Sequence, residues 1–234
     1  MSNHKPNKEE RAHRDVYEGE IAAHLTHITQ EFRDGFEFLR KYPKSVSIFG
    51  SSLTPSSDPN YMKAEELAGR IVTELGYTVL TGGGPGIMEA ASKGAFDAGG
   101  VAAGLNISLP HERTTNDYVA RTNSLKFSYF FSRKTMLTFA AEAYVFFPGG
   151  YGTFDELFSI LTLIQTDKIP HVPVLLFDSK YWTKIEAFLK ETMLGTYHTI
   201  DAKDVGIFKV TDSLEEILDT VKAAPVSEWW RNIN

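Results

Sequence analysis

Short apolar runs alternate with amphipathic stretches along most of this chain, and that alternation leaves few architectures open. The runs fall at residues 45–49, 78–80, 101–107, 143–147, 174–177 and 207–210, with helical patterns between them at 61–75, 86–98, 130–141, 153–165, 181–194 and 213–223. Strands apolar on both faces, each followed by a helix, belong to a parallel sheet covered on both sides. The expected fold class is therefore α/β: a doubly wound, mainly parallel sheet with helices on both faces. Ahead of it, Ile21, Leu25, Ile28, Phe32, Phe36 and Leu39 recur at three- and four-residue steps, which predicts an N-terminal helical extension over 15–40. Residues 1–14 are charged and unpatterned and read as a flexible tail, and 225–234, with Trp229 and Trp230, as an arm packed on the body or on another subunit. One domain over 15–234 with its core at 44–222 suits the length, since single domains commonly take about 100–250 residues.

Composition narrows the function classes. The absence of cysteine removes disulfide scaffolds, thiolate metal sites and thiol nucleophiles, and fits a reducing compartment. The polar N-terminus carries no secretory pattern and no window approaches a membrane span, so a cytoplasmic location with no membrane contact is expected. A net charge of −6 argues against nucleic acid as partner. A small anion can still be held by backbone amides at a helix start, whatever the net charge.

In open parallel sheets, ligands bind beyond the carboxyl ends of the strands, so the loops there matter most. Phe49-Gly50-Ser51-Ser52 follows the first strand; glycine admits a close ligand and the hydroxyls can donate to it, although a strand-to-helix turn uses small polar residues in any case. Thr81-Gly82-Gly83-Gly84-Pro85-Gly86-Ile87-Met88-Glu89 opens a helix but puts Ile87 where the dinucleotide fingerprint needs its third glycine, and it is no Walker A loop. Pro148-Gly149-Gly150-Tyr151-Gly152-Thr153-Phe154-Asp155-Glu156 joins a strand to a helix starting at Thr153, with free amides at its positive end: a phosphate cradle. Glu156 stands three residues after Thr153, which is also capping-box spacing. Arg133 and Lys134 lie in the first turns of a helix, against its dipole, so an anion is expected nearby, a bound phosphate being one candidate and solvated surface charges the alternative. His24 and His27 share a helix face without a third ligand at metal spacing, so no metal site is read. Met88 and Met136 read as core filler.

With these motifs in place, the chain resembles the LOG family, also called lysine decarboxylase-like, over about residues 44–222: Gly82-Gly83-Gly84, Arg133-Lys134, and Pro148-Gly149-Gly150-Tyr151-Gly152-Thr153 with Glu156. The long N-terminal helices and the Gly83–Glu89 loop look closer to the bacterial branch. The resemblance implies a Rossmann-like homodimer acting as a phosphoribohydrolase that releases free base and ribose 5-phosphate from AMP or cytokinin riboside monophosphates, with no cofactor. It also implies that Arg133 and Glu156 are catalytic, that Glu112, Lys134 and Thr162 contact substrate, and that Gly149 to Asp155 bind its phosphate. Gly50, Ser51, Ser52, Gly83 and Gly84 join the expected binding set. Where the family often shows Met-His-x-Arg-Lys, this chain has Phe130-Phe131-Ser132-Arg133-Lys134, which implies a differently shaped base pocket. The expected mechanism anchors the phosphate on Gly150 to Thr153 with Ser51 and Arg133, and sets Glu156 beside the ribose C1′ to stabilise positive charge and orient water. The rival reading is a non-catalytic nucleotide or molybdenum-cofactor carrier. A pyridoxal-phosphate decarboxylase fares worst, because no lysine has a recognisable setting for that cofactor.

Overall fold

The structure is a computed structural model that describes residues 8–108 and 115–224, with side chains from Tyr17 onward. In chain order its elements are α1 (Lys8–Leu39), β1 (Ser45–Phe49), α2 (Pro59–Arg70), β2 (Thr78–Thr81), α3 (Ile87–Asp97), β3 (Ala102–Ile107), β4 (Ser124–Phe127), α4 (Phe130–Phe139), β5 (Ala143–Phe146), α5 (Tyr151–Gln165), β6 (Val174–Phe177), α6 (Ser179–Ala187), β7 (Lys209–Thr211) and α7 (Leu214–Ala223). Helices α2 and α6 run on into π-helical turns at Ile71–Leu75 and Phe188–Thr196.

The seven strands among the described residues are all parallel and lie in the order β4-β3-β2-β1-β5-β6-β7. Val46 pairs with Val79 on one side and Ala143 on the other, so β1 is central. Apolar residues at successive positions of the inner strands enter opposite cores, as the period of two requires. Val46, Ile48, Val145, Phe147 and Leu175 join the cluster beneath α2, α3 and α7, whereas Phe49, Leu80, Tyr144, Phe146 and Leu176 join the one beneath α1, α4, α5 and α6. The chain winds outward from β1 to β4 and then returns to the far side of β1 with β5. The order therefore reverses between β1 and β5, which in this class of sheet is where the ligand crevice opens.

Three expectations change. Helix α1 is one helix that begins at Lys8, so 8–14 are helical rather than a tail, because Glu9, Glu10, Arg11 and Ala12 favour helix without needing an apolar stripe. A seventh strand, β4, joins the expected six at the sheet edge, where its interleaved Ser124 and Lys126 hide it from an apolar scan. Helix α5 starts at Tyr151, two residues before the expected Thr153. Residues 1–7 and the arm at 225–234 fall outside the described residues.

Candidate active site

The loops after β1 and β5 leave the sheet side by side, and backbone hydrogen bonds lace them together. Ser51 N donates to Pro148 O at 3.0 Å, and Ser51 O accepts from Ile87 N, at the start of α3, at 3.0 Å. Beside them opens a cavity of about 340 Å³. Its polar side is formed by Gly50, Ser51, Ser52, Gly82, Gly84, Arg133 and the run from Gly150 to Thr153 with Asp155 and Glu156. Its apolar wall is Phe49, Leu53, Met88, Ile107, Phe130 and Leu137. Of that wall, the sequence pointed only to Phe49, heading the first ligand loop, and Phe130, in the altered base-pocket motif; Leu53, Ile107 and Leu137 were not expected there, and Met88, expected as core filler, lines the cavity, whereas Met136 is core.

Helix α5 aims its N-terminus into this space. Gly150 is the N-cap and contributes no side-chain cap. The first amide bonded within the helix is Phe154 N, to Gly150 O at 3.1 Å, so the amides of Tyr151, Gly152 and Thr153 have no intrahelical acceptor and sit at the positive end of the dipole. Gly149 must be glycine, because a Cβ there would collide with the Thr153 side chain. Its carbonyl accepts a hydrogen bond from the Tyr181 hydroxyl at 2.5 Å, which ties the loop to α6.

Arg133 reaches the cavity from α4. Its Nε–H donates to Leu105 O at 2.6 Å, and Nη2 lies 3.5 Å from Gly82 O. A Cβ on Gly82 would strike that guanidinium, so the glycine admits the arginine. Asn116 steadies the same loop, donating from Nδ2 to Gly83 O at 3.2 Å and Gly84 O at 3.0 Å.

Glu156 occupies the first turns of α5, only 8% exposed, and its Oε2 is buried without a hydrogen-bond partner. The capping-box alternative does not hold: the N-cap is Gly150, six positions away. Burial pushes its carboxyl up to about 7; Arg133 and Lys134 pull it down, and Asp155 adds to the rise. Perturbed carboxyls of this kind concentrate at functional sites.

Eleven of the expected site residues thus converge on one cavity: Gly50, Ser51, Ser52, Gly84, Arg133, Gly150, Tyr151, Gly152, Thr153, Asp155 and Glu156. Gly83 and Gly149 do not line it but belong to the same loops, where their carbonyls accept from Asn116 and Tyr181. Lys134 and Thr162 do not line it: they face an adjoining groove between α4 and α5, where Lys134 Nζ pairs with Asp155 Oδ1 at 2.6 Å and the Thr162 hydroxyl donates to Phe158 O at 2.7 Å. Glu112 lies outside the described residues. His24 and His27 face Tyr129 on the outer side of α4.

A family model described as "Possible lysine decarboxylase" matches residues 88–221, more than half of the chain. The chain belongs to the LOG, or lysine decarboxylase-like, family. A relative in Oryza sativa subsp. japonica, described as "Probable cytokinin riboside 5'-monophosphate phosphoribohydrolase", is 30% identical over 156 residues, covering 64% of this chain and 61% of that protein. The chain therefore spans less than two thirds of that relative's length. A protein of Rhodococcoides fascians described as "Cytokinin riboside 5'-monophosphate phosphoribohydrolase" is 25% identical over 164 residues, covering 68% of this chain and 81% of its own. Among solved structures, the molybdenum cofactor binding protein of Rippkaea orientalis shares the fold with a TM-score of 0.56 at 21% identity, over 77% of this chain and 96% of that one. Arg133, Glu156 and the α5 loop fall inside the span matched by the LOG-family model, whereas α1 and the glycine loops after β1 and β2 precede it.

Proposed function

We propose that this LOG-family chain is a nucleoside 5′-monophosphate phosphoribohydrolase, hydrolysing the N-glycosidic bond of AMP or a cytokinin riboside 5′-monophosphate to free base and ribose 5-phosphate. The observation that carries the reading is the Glu156 carboxyl, buried with an unpartnered oxygen and facing the same cavity as the free amides of α5. The amides of Tyr151, Gly152 and Thr153, with Arg133 opposite, are the anchor for a phosphate. Ribose then lies between the cradle and Glu156, and the base lies against the apolar wall.

As the C1′–N bond breaks, positive charge builds on the ribose, and a carboxylate beside C1′ is worth most there, in a site shielded from water. Water adds its oxygen to C1′ and gives a proton to Glu156 as the C1′–N bond breaks with its electron pair on the base; Glu156 gives that proton up to the departing base, so one water is consumed for each bond cut and the carboxylate is regenerated. A carboxyl that ionises near 7 suits a base working at neutral pH, and the rate is expected to rise with pH through that value.

A cytoplasmic location and a homodimer belong to the same reading. The second reading is a carrier of a nucleotide or molybdenum cofactor, with the R. orientalis protein as the fold relative. A carrier needs the anion cradle but has no use for a buried carboxyl at the scissile bond. Incubating the protein with AMP and with adenosine separates the cases: base release from AMP and not from adenosine is expected, together with weaker AMP binding in Arg133→Ala. Tight AMP binding without base release from any monophosphate would favour the carrier.

A further inference from the structure

Helix α4 brings Arg133 to the cavity, yet its own N-terminus is poorly equipped. Its N-cap, Tyr129, makes no side-chain cap, and there is no acidic residue in its first turn. The anion expected at this end is supplied by α1. Glu31, only 7% exposed, accepts from Ser128 N at 2.5 Å through Oε1 and from Tyr129 N at 3.4 Å through Oε2. Two neighbours on α1 hold the same residue: His24 Nδ1 is hydrogen-bonded with the Tyr129 hydroxyl at 2.7 Å, and the His27 ring meets the Tyr129 ring edge-on at 5.5 Å, with His27 Nε2 also 3.7 Å from Glu31 Oε1.

Packing of α1 does not call for a carboxyl here. Phe32, Phe36, Phe38 and Leu39 already seat the helix on the core. Burying a carboxyl is costly unless it is hydrogen-bonded, so its place on two backbone amides points to fixing a geometry rather than adding apolar contact. The residue after Tyr129 is Phe130, on the cavity wall, and one helical turn on from Tyr129 is Arg133. The first turn of α4 is therefore held from two sides, by Arg133 on Leu105 O within and by Glu31 without.

We propose that Glu31 is a positioning residue of the active site, its carboxyl on the Ser128 and Tyr129 amides fixing the turn of α4 that presents Arg133 and Phe130 to the substrate. The inference rests on the phosphoribohydrolase reading and adds to it an element, α1, that lies ahead of the span matched by the family model.

The test compares Glu31→Ala and Glu31→Gln with wild type for kcat and KM on AMP across pH. Misplacing a substrate-holding group by about 1 Å costs up to roughly 100-fold, so Glu31→Ala is expected to lose at least about tenfold in kcat/KM, with KM raised. Glu31→Gln keeps the volume and one acceptor and is expected to recover much of the loss. Arg133 and Lys134 from α4 and Asp155 from α5 are the charges that face Glu156, so loosening α4 in Glu31→Ala should also move the acid limb of the rate profile upward, by up to about one unit. A fall in melting temperature with kcat, KM and the acid limb all unchanged would make Glu31 a purely structural residue and overturn the proposal.

Titrating the Glu156 carboxyl by carbon-13 NMR in the ligand-free proteins requires no turnover. If wild type hydrolyses no monophosphate, the functional reading fails on its own. An upward shift in Glu31→Ala, or in Glu31→Met should the alanine variant not fold, still supports the positioning role, and an unmoved titration overturns it; Met keeps most of the volume and has no carboxyl to accept from the Ser128 and Tyr129 amides.

Discussion

Glu156 is the residue on which the chemistry and the stability of this protein meet. Its carboxyl titrates near 7 in the folded chain, against 4.5 for the ordinary side chain, so between those pH values the folded protein keeps a proton that the unfolded chain has released. Stability due to this group is therefore greatest below pH 4.5 and declines as pH rises to about 7. Above that the full penalty applies, roughly 3–4 kcal/mol at most when each unit is worth roughly 1.4 kcal/mol. Glu156→Gln, neutral at every pH, should melt above wild type at pH 8, and the advantage should vanish near pH 4. Melting curves at the two pH values check this, and a difference independent of pH would contradict the assignment. The sequence already shows Glu156 one turn into a glycine-led helix. Whether it caps that helix or faces a cavity depends on which residue begins α5, and glycines at 149, 150 and 152 on both sides of that start leave it poorly marked in the sequence.

At the scale of elements, the site depends on how α5 and its loop are held. The Tyr181 hydroxyl donates to Gly149 O, while its ring lies against Trp182 at 4.9 Å and Phe154 at 6.3 Å. Tyr181→Phe keeps the rings and removes only the hydrogen bond. It should cost about 1 kcal/mol of stability. It should also raise KM for the monophosphate several-fold with kcat nearly kept, which steady-state kinetics will read. The elements were largely legible because short continuous apolar runs mark strands buried on both faces, while longer stretches with apolar residues at three- and four-residue steps mark the helices between them. Strand β4 was not, because Ser124-Leu125-Lys126-Phe127 is an edge strand with only Phe127 buried. The start of α1 was missed for the opposite reason: its first turns are set by helix propensity rather than by an apolar face.

Over the whole molecule, the reversal of strand order between β1 and β5 gathers loops far apart in sequence into one crevice. The glycine loops announce that crevice; its apolar wall does not announce itself. Phe49, Met88, Ile107 and Leu137 come from four elements, and periodicity marks them only as facing inward, not what they face. The pairing of Glu31 with Ser128 and Tyr129 is equally invisible, because local pattern does not report contacts so distant along the chain. Beside the crevice, the groove between α4 and α5 leaves Phe158 39% exposed and Tyr151 97% exposed, and carries Lys134 and Thr162, which the family resemblance assigns to substrate. A second copy closing this groove would bring it and the cavity together, since Tyr151 and Asp155 border both. Wild type should run as a dimer in light scattering and Phe158→Glu as a folded monomer; a monomeric wild type would contradict this. Whether Glu156 drives cleavage of the glycosidic bond of a phosphate-anchored nucleotide is decided by base release from AMP in wild type and Glu156→Gln, followed by chromatography, with AMP affinity measured alongside. Wild type is expected to yield adenine and ribose 5-phosphate, and the variant to lose at least about 100-fold in turnover with affinity nearly unchanged. Equal turnover in the two proteins would contradict it.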